Sequence, residues 1–346
     1  MLNKTFATLL ALPLVVQSAW AQDGETRAVK VSGFGTAALT MTDTDDASFT
    51  RPYQAGGARK APRTGVDSNL GLQADFPIND WLSLTGQGLV RKLATDTNEA
   101  TATLAFVKAR LSDAVSVRAG RVPLPAFLIS EYRNVGYANT MLRPVQEVYA
   151  QVPHDSLDGA DLEWRQELGS SMLTTQLAYG RSTAKVAGQN FTFTNGRIVN
   201  FVLENGPFTV RLGRDEVKMD LGQGAAGLPK SKVSFTAAGF AMDRNNVLVQ
   251  AEHTVVRGFG ATSKGWYAMG GYRFGKVLPF VSHGKLSGDF VQTTDSVGLR
   301  WDAFRSADIK FQVDRVKPQG AGLFNQPRSG FKGPVTVGAV AVDFVF

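Results

Sequence analysis

The chain has 346 residues, no cysteine, 36 glycines and 22 phenylalanines, and its formal net charge is +7 at pH 7. A mean hydropathy of −0.09 excludes a bundle of membrane-spanning helices, but it suits both a soluble protein and a transmembrane β-barrel, in which every second residue faces water. The lack of cysteine excludes a disulfide-stapled fold, and the lack of a polybasic run argues against nucleic acid as a partner.

The first 21 residues predict a secretory signal peptide. Lys4 precedes a mostly apolar run over 5–16, which is too short to span a bilayer as a helix. The sequence AWA at 19–21 is a small-x-small cleavage motif, so we expect cleavage after Ala21 and a mature chain of 22–346.

Beyond this segment, apolar and polar residues alternate with a period of two, which predicts strands with one apolar and one polar face. Sixteen segments carry the pattern: 29–42, 69–76, 81–90, 103–111, 115–120, 160–168, 173–180, 197–204, 208–213, 232–240, 247–254, 265–274, 277–285, 290–301, 308–315 and 334–346. About twenty residues per strand and connection suit tilted membrane strands of about ten residues.

The connections between these strands are mostly short and long in turn. Asn205-Gly206 is a strong signal for a two-residue hairpin, whereas the segments 43–65, 122–158 and 182–195 are long. Tight turns at one end and long loops at the other are typical of an outer-membrane barrel. Six aromatic residues near strand ends or on apolar faces suit the belts of such a barrel: Trp81, Trp164, Tyr179, Trp266, Tyr272 and Trp301.

The last strand is apolar on one face up to its final residue. Val340, Val342, Phe344 and Phe346 share the face that we expect to meet lipid, and Asp343 lies on the opposite face. Pairing of this strand with the first would leave no open edge. We therefore predict an all-β fold, a closed transmembrane antiparallel barrel of about sixteen strands with a long loop after strand 5. A soluble β-sandwich also fits the alternation.

These features together resemble the general porins of Gram-negative outer membranes. The resemblance rests on the signal peptide, the sixteen strands, the terminal strand ending in Phe346 and the long connection 122–158, although this loop lacks a PEFGGD-like tip. It implies an outer-membrane location, a homotrimer, folding by the barrel assembly machinery, and a loop 122–158 that folds into the barrel and narrows it.

The polar faces of the third to sixth strands carry basic residues that would point into the lumen. We predict that this pore-lining basic wall consists of Arg91, Lys108, Arg110, Arg118 and Arg165. Like charges on neighbouring strands need acids or passing anions to offset them. The loop supplies four candidate acids, Glu131, Glu147, Asp155 and Asp158. The resemblance implies that these acids face the basic wall and create a transverse field. Further round the barrel, the polar face carries Arg211, Glu252, Arg300, Lys310, Asp314 and Asp343.

The sequence gives little support to an enzyme or a metal site. His154 is followed by Asp155 and Ser156, but sequence adjacency does not make a catalytic triad. The other histidines are too widely spaced to suggest metal ligands, so no cofactor is expected.

The favoured function is passive diffusion of small hydrophilic solutes and ions through a water-filled channel with a mild anion preference. Three alternatives stay open: a substrate-specific anion channel, a structural or adhesive barrel with a plugged lumen, and a secreted β-sandwich binding module.

Overall fold

The computed structural model describes residues 28–52, 54–93, 96–152, 154–186, 189–220 and 231–346. The predicted signal peptide and its cleavage site lie outside these residues. No helix in the described part of the chain has the length and apolarity needed to cross a bilayer.

The described residues form sixteen antiparallel strands that close into one barrel, as predicted. The strands are β1 (Lys30–Thr42), β2 (Asn69–Pro77), β3 (Leu82–Lys92), β4 (Asn98–Arg110), β5 (Val115–Pro123), β6 (Ser156–Leu168), β7 (Ser171–Val186), β8 (Gln189–Asn205), β9 (Phe208–Asp220), β10 (Ser231–Arg244), β11 (Val247–Gly258), β12 (Ala261–Tyr272), β13 (Val277–Ser287), β14 (Val291–Trp301), β15 (Ala307–Gln319) and β16 (Val335–Val345). Between β5 and β6 lie a 3-10 turn (Gly136–Ala138) and one short helix, α1 (Gln146–Tyr149).

One predicted loop is wrong. The segment 182–195 is largely strand, because β7 and β8 extend through it and remain paired, with Ser182 opposite Phe193. A register shift between Gly180 and Ser182 interrupts the strict alternation, so a period-two pattern ends there although the hydrogen-bonded ladder continues. Paired strands therefore take the place of one predicted long loop in this part of the wall.

The two faces of the strands differ as the alternation predicts. Outward residues such as Leu72, Leu84 and Val297 are large, apolar and exposed. The six aromatic residues predicted for the belts are all exposed on the outer surface. Inward residues such as Thr40 and Asp343 are polar and buried, because neighbouring polar side chains and the loop after β5 cover them.

Strands β1 and β16 form the seam that closes the barrel. Ala37 pairs with Val342, and Phe346 extends the ladder by exchanging backbone hydrogen bonds of 2.8 and 2.9 Å with Gly33. Val340, Val342, Phe344 and Phe346 point outward. The rings of Phe344 and Phe346 stack and lie over Gly35 and Gly33, where any Cβ would collide with them. A larger residue at either position would force the aromatic ring above it to move.

Candidate functional site

The connection between β5 and β6, residues 124–155, folds back into the barrel and crosses its interior. Pro123 and Pro125 help to end β5, since proline cannot donate to a strand ladder. The Pro125 carbonyl accepts a hydrogen bond from Arg211 on β9. Further along, the Leu142 amide donates to Gln312 on β15, at 2.9 Å. We call this segment the internal loop.

Arg143 fixes the far side of the internal loop to the wall. Its guanidinium forms ion pairs with Asp67 at 2.8 Å and with Asp314 on β15 at 2.6 Å, and it packs over the Phe49 ring. All three charged side chains are almost fully buried. The guanidinium and the two carboxylates supply one another with hydrogen bonds and opposite charges where water is excluded. This contact therefore holds the loop in place.

A second buried ion pair lies beneath the 3-10 turn. Lys310 is fully buried, forms an ion pair with Asp343 at 2.8 Å and donates to the Gly136 carbonyl at 2.7 Å. Asp343 also accepts a hydrogen bond from Thr36 across the seam. These contacts tie the loop to β1, β15 and β16 together.

Glu147 does not face the basic wall, and that part of the prediction is wrong. It lies on α1, is buried, and accepts hydrogen bonds from Gln292 at 2.8 Å and from Thr294, both on β14. Burial raises the pKa of Glu147, and the nearby Asp314 adds to the effect. The cause is the length of the loop, which carries α1 past the lumen to the opposite wall.

Glu252 on β11 is another acid that the loop covers. Its carboxylate accepts hydrogen bonds from the Leu128 amide at 2.7 Å, from Tyr267 at 3.3 Å and from the Tyr149 hydroxyl. Burial beside this carboxylate raises the pKa of Tyr149, which keeps the phenol protonated as a donor. Tyr149 thus anchors the loop to β11.

Asp158 belongs to β6 and not to the loop, which corrects a second predicted acid. Strand β6 begins at Ser156, four residues before the alternation becomes clear, and the pleat turns Asp158 to the outer face. There it forms an ion pair with Arg121 at 2.6 Å. Extending the period of two backwards from Asp161 would have found this orientation.

Asp155 and Arg91 do meet, as a contact between the internal loop and the wall. Arg91 on β3 forms an ion pair with Asp155 at 3.1 Å and donates to Asn134 at 3.0 Å. Arg133 forms a further ion pair with the same carboxylate. One acid is therefore shared by two guanidinium groups, which leaves positive charge in excess.

Arg118 and Glu131 form the other predicted contact between wall and loop. Arg118 on β5 is held by Asp161 on β6 with hydrogen bonds of 2.5–3.1 Å, and its second terminal nitrogen lies 3.5 Å from Glu131. Glu131 keeps 41% of its side chain exposed, so it borders open space. Arg118 is mostly neutralised by Asp161.

The remaining predicted basic residues are spread towards the short-turn end of the barrel. Lys108 pairs in register with Arg118 and forms no ion pair with any described residue. Arg110 donates to the Asp80 carbonyl at 2.5 Å, and Arg165 forms an exposed ion pair with Glu163 at 2.8 Å. The five basic residues therefore form a row along the wall and not one tight patch.

A cavity of about 630 Å³ reveals basic residues that the analysis of strands missed. It is lined by Arg51, Arg91, Lys92 and Arg133, with Asp155 as the acid. Burial lowers the pKa of Arg51 to about 10, which leaves the guanidinium charged near neutral pH. Arg51 and Arg133 lie in loops, where no alternation of apolar and polar residues shows which side chains point inward. The sequence alone therefore does not predict that they line a cavity.

The adjacent His154, Asp155 and Ser156 do not act as a unit. Asp155 is engaged by arginines, His154 packs on Phe193 with ring centroids 4.6 Å apart, and Ser156 starts β6. Within the described ranges, no cluster of His, Asp and Glu is arranged to bind a metal ion.

The charged groups inside the barrel are of two kinds, buried in ion pairs or half-exposed. Acids of β15 and β16, with Asp67, are buried against Arg143 and Lys310 and hold the internal loop. The side formed by β2 to β6 keeps half-exposed groups such as Gln87 and Lys108. The cavity beside Arg91 is lined by four basic residues, Arg51, Arg91, Lys92 and Arg133, and by one acid, Asp155.

Comparison with known proteins shows the fold. No family model and no curated protein matches the chain. Among solved structures, it is similar to Salmonella typhi OmpF in complex with daunomycin (TM-score 0.64, 15% identity, covering 92% of this chain and 97% of that one). It is also similar to an anion-selective porin from Comamonas acidovorans (0.62, 14%, 92% and 99%) and to the outer membrane channel DcaP of Acinetobacter baumannii (0.62, 11%, 92% and 97%). The chain therefore has the sixteen-stranded barrel fold that these outer-membrane channels share.

Proposed function

We propose that this protein is a porin of the Gram-negative outer membrane, a water-filled channel through which small hydrophilic solutes and ions diffuse, with a preference for anions. It is not an enzyme in this proposal. The observation that carries the anion preference is the cavity beside the internal loop, which Arg51, Arg91, Lys92 and Arg133 line with Asp155 as its acid.

The outer surface supports the membrane location. It exposes large apolar residues all round the barrel, including Leu70, Leu177 and Phe311, and an exposed surface of this kind needs lipid around it. We further propose a homotrimer and assembly by the barrel assembly machinery, as in the general porins that the sequence resembles. The similarity to a porin that is named anion-selective agrees with the proposed preference.

Planar-bilayer recording of the detergent-purified protein tests the channel. We expect steady single-channel conductance and, under a tenfold KCl gradient, a reversal potential of anion-selective sign. Lys108→Glu should shift the reversal potential towards cation selectivity, because Lys108 has no ion-pair partner among the described residues. Lys276→Glu makes the same charge change in an exposed short turn and should leave the value unchanged.

Each other outcome has a definite meaning. Conductance with cation selectivity would keep the channel and refute the anion preference. The absence of conductance would refute the porin and favour a structural or adhesive barrel with a plugged lumen.

A substrate-specific anion channel is the second candidate, favoured by the cavity that Arg51, Arg91 and Arg133 line. Guanidinium groups bind carboxylates and phosphates in bidentate fashion. Saturable block of the current by one anion, out of a panel of inorganic phosphate and small organic acids, would support this candidate. Equal passage of all of them would support general diffusion.

A further inference from the structure

A second cavity, of about 530 Å³, lies between the inner wall of β7–β11 and the two ends of the internal loop. Its lining is mainly apolar and includes Leu124, Val152, Phe193, Phe235 and Val256. This composition differs from that of the basic cavity near Arg91, and the two share no lining residue. The apolar cavity is therefore a separate compartment of the barrel interior.

Three polar atoms in this cavity lack a hydrogen-bond partner among the described residues. They are Asp215 Oδ1, Ser182 Oγ and His154 Nδ1. Asp215 and Ser182 are each only 6% exposed. The residues opposite Asp215 on the neighbouring strands are Ile198 and Phe235, so the sheet itself offers the carboxylate no polar partner.

The buried basic residue nearest to Asp215 in the chain is Arg211, and it does not pair with this carboxylate. Arg211 lies four residues earlier on the same face, but it donates to the Pro125 carbonyl and forms no ion pair with Asp215. Burial and the Arg133 guanidinium lower the pKa of His154 to about 3, so the imidazole is neutral near pH 7. A buried carboxyl group without a partner is costly, whereas Asp161 elsewhere on the wall is fully paired with Arg118.

We propose that this cavity binds a small amphipathic amine. The ammonium group would donate to Asp215 and Ser182, and the aromatic or aliphatic body would pack between Phe193 and Phe235. An ammonium supplies both the charge and the hydrogen bonds that the carboxyl group lacks, and apolar pockets with a few convergent polar groups suit small ligands.

Binding of tryptamine to the detergent-purified full-length protein, measured by isothermal titration calorimetry, tests the proposal. The neutral 3-ethylindole has a similar ring and chain, so it reports on the apolar cavity alone. We expect saturable tryptamine binding that Asp215→Asn weakens at least about tenfold, with little change for 3-ethylindole. Asp75→Asn is the matched control, because Asp75 is an inward carboxylate that Gln73 and Thr85 already satisfy.

Val217→Phe provides an independent variant, since Val217 lines the cavity and a larger side chain would fill it. It should abolish binding of both indoles while single-channel conductance stays at the wild-type value. Equal affinity of the wild type and Asp215→Asn for tryptamine would overturn the proposal, as would tryptamine binding that Val217→Phe leaves intact or no saturable binding at all. Because conductance is read separately, failure of this site would not be confused with failure of the proposed porin.

Discussion

At the scale of single residues, charged groups inside this barrel differ according to whether they are paired and buried or open to the lumen. Lys310 is fully buried between Asp343 and Asp308, whereas Lys108 lies half-buried on β4 without an ion pair among the described residues. The first kind holds the structure together, since removing one member leaves an uncompensated charge. The second kind can act on passing ions at little cost to stability.

Lys310→Met should therefore lower the free energy of unfolding by about 3–5 kcal/mol, the usual cost of breaking a buried ion pair from one side. Lys108→Met makes the same chemical change and should cost no more than about 0.5 kcal/mol, as is usual for surface substitutions. Urea unfolding in phospholipid vesicles, followed by tryptophan fluorescence, measures both values. Equal losses in the two variants would show that the Lys310–Asp343 contact has no special structural role.

At the scale of elements, the strands could be predicted from the sequence and the docking of the internal loop could not. The period of two fixes the inward side of strands such as β15 and β16 from neighbouring residues alone. Glu147 and Arg143 instead find their partners 145 and 171 residues further along the chain, in Gln292 and Asp314. A loop has no period that marks its buried side, so these contacts appear only in the folded barrel.

The same limit explains the errors near strand ends. The alternation becomes clear only at Ala160, which puts Asp158 in the predicted loop, although the ladder with β5 starts at Ser156 opposite Pro123. The sequence pattern does not predict the extension of β7 and β8, because their register shift breaks the alternation. Hydrogen-bond pairing tolerates such irregularities, whereas a sequence pattern does not.

The docking of α1 should depend on pH through Glu147. Because burial raises the pKa of Glu147, the docked loop holds the proton more tightly, so docking is favoured below the ordinary value of 4.5 and weakens as the pH rises above it. Asp67 has a lowered pKa and acts in the opposite sense, as its contribution is lost when the pH falls. Substitution of Glu147 alone therefore separates its contribution to the pH dependence from that of Asp67.

Glu147→Gln should remove that part of the pH dependence and strengthen docking near neutral pH. Hydrogen exchange of the amides over 146–151, corrected for intrinsic rates and compared at pH 4 and pH 8, measures it. Glu131→Gln is the control, because Glu131 is partly exposed and should keep the wild-type dependence. An unchanged pH dependence in Glu147→Gln would contradict the assignment.

At the scale of the whole molecule, closure distinguishes this fold from an open sheet with the same strands. The β1–β16 seam joins residues more than 300 positions apart, and the last three residues supply part of it through Phe344, Val345 and Phe346. In lipid, each unpaired backbone group costs several kcal/mol, so an unfinished seam is far more harmful than a missing side chain. Backbone pairing and side-chain burial at this terminus can therefore be separated by experiment.

Deletion of residues 344–346 should prevent formation of the compact barrel, since Gly33, Phe34 and Gly35 would lose their partners at the seam. Phe346→Ala keeps the backbone hydrogen bonds with Gly33 and should still fold, with a loss of about 1.5–3 kcal/mol from the missing ring. The fraction of refolded chain that migrates as a compact species in SDS gels without heating measures both. A truncated chain that folds as completely as the Phe346→Ala variant would show that closure does not depend on the terminal pairing.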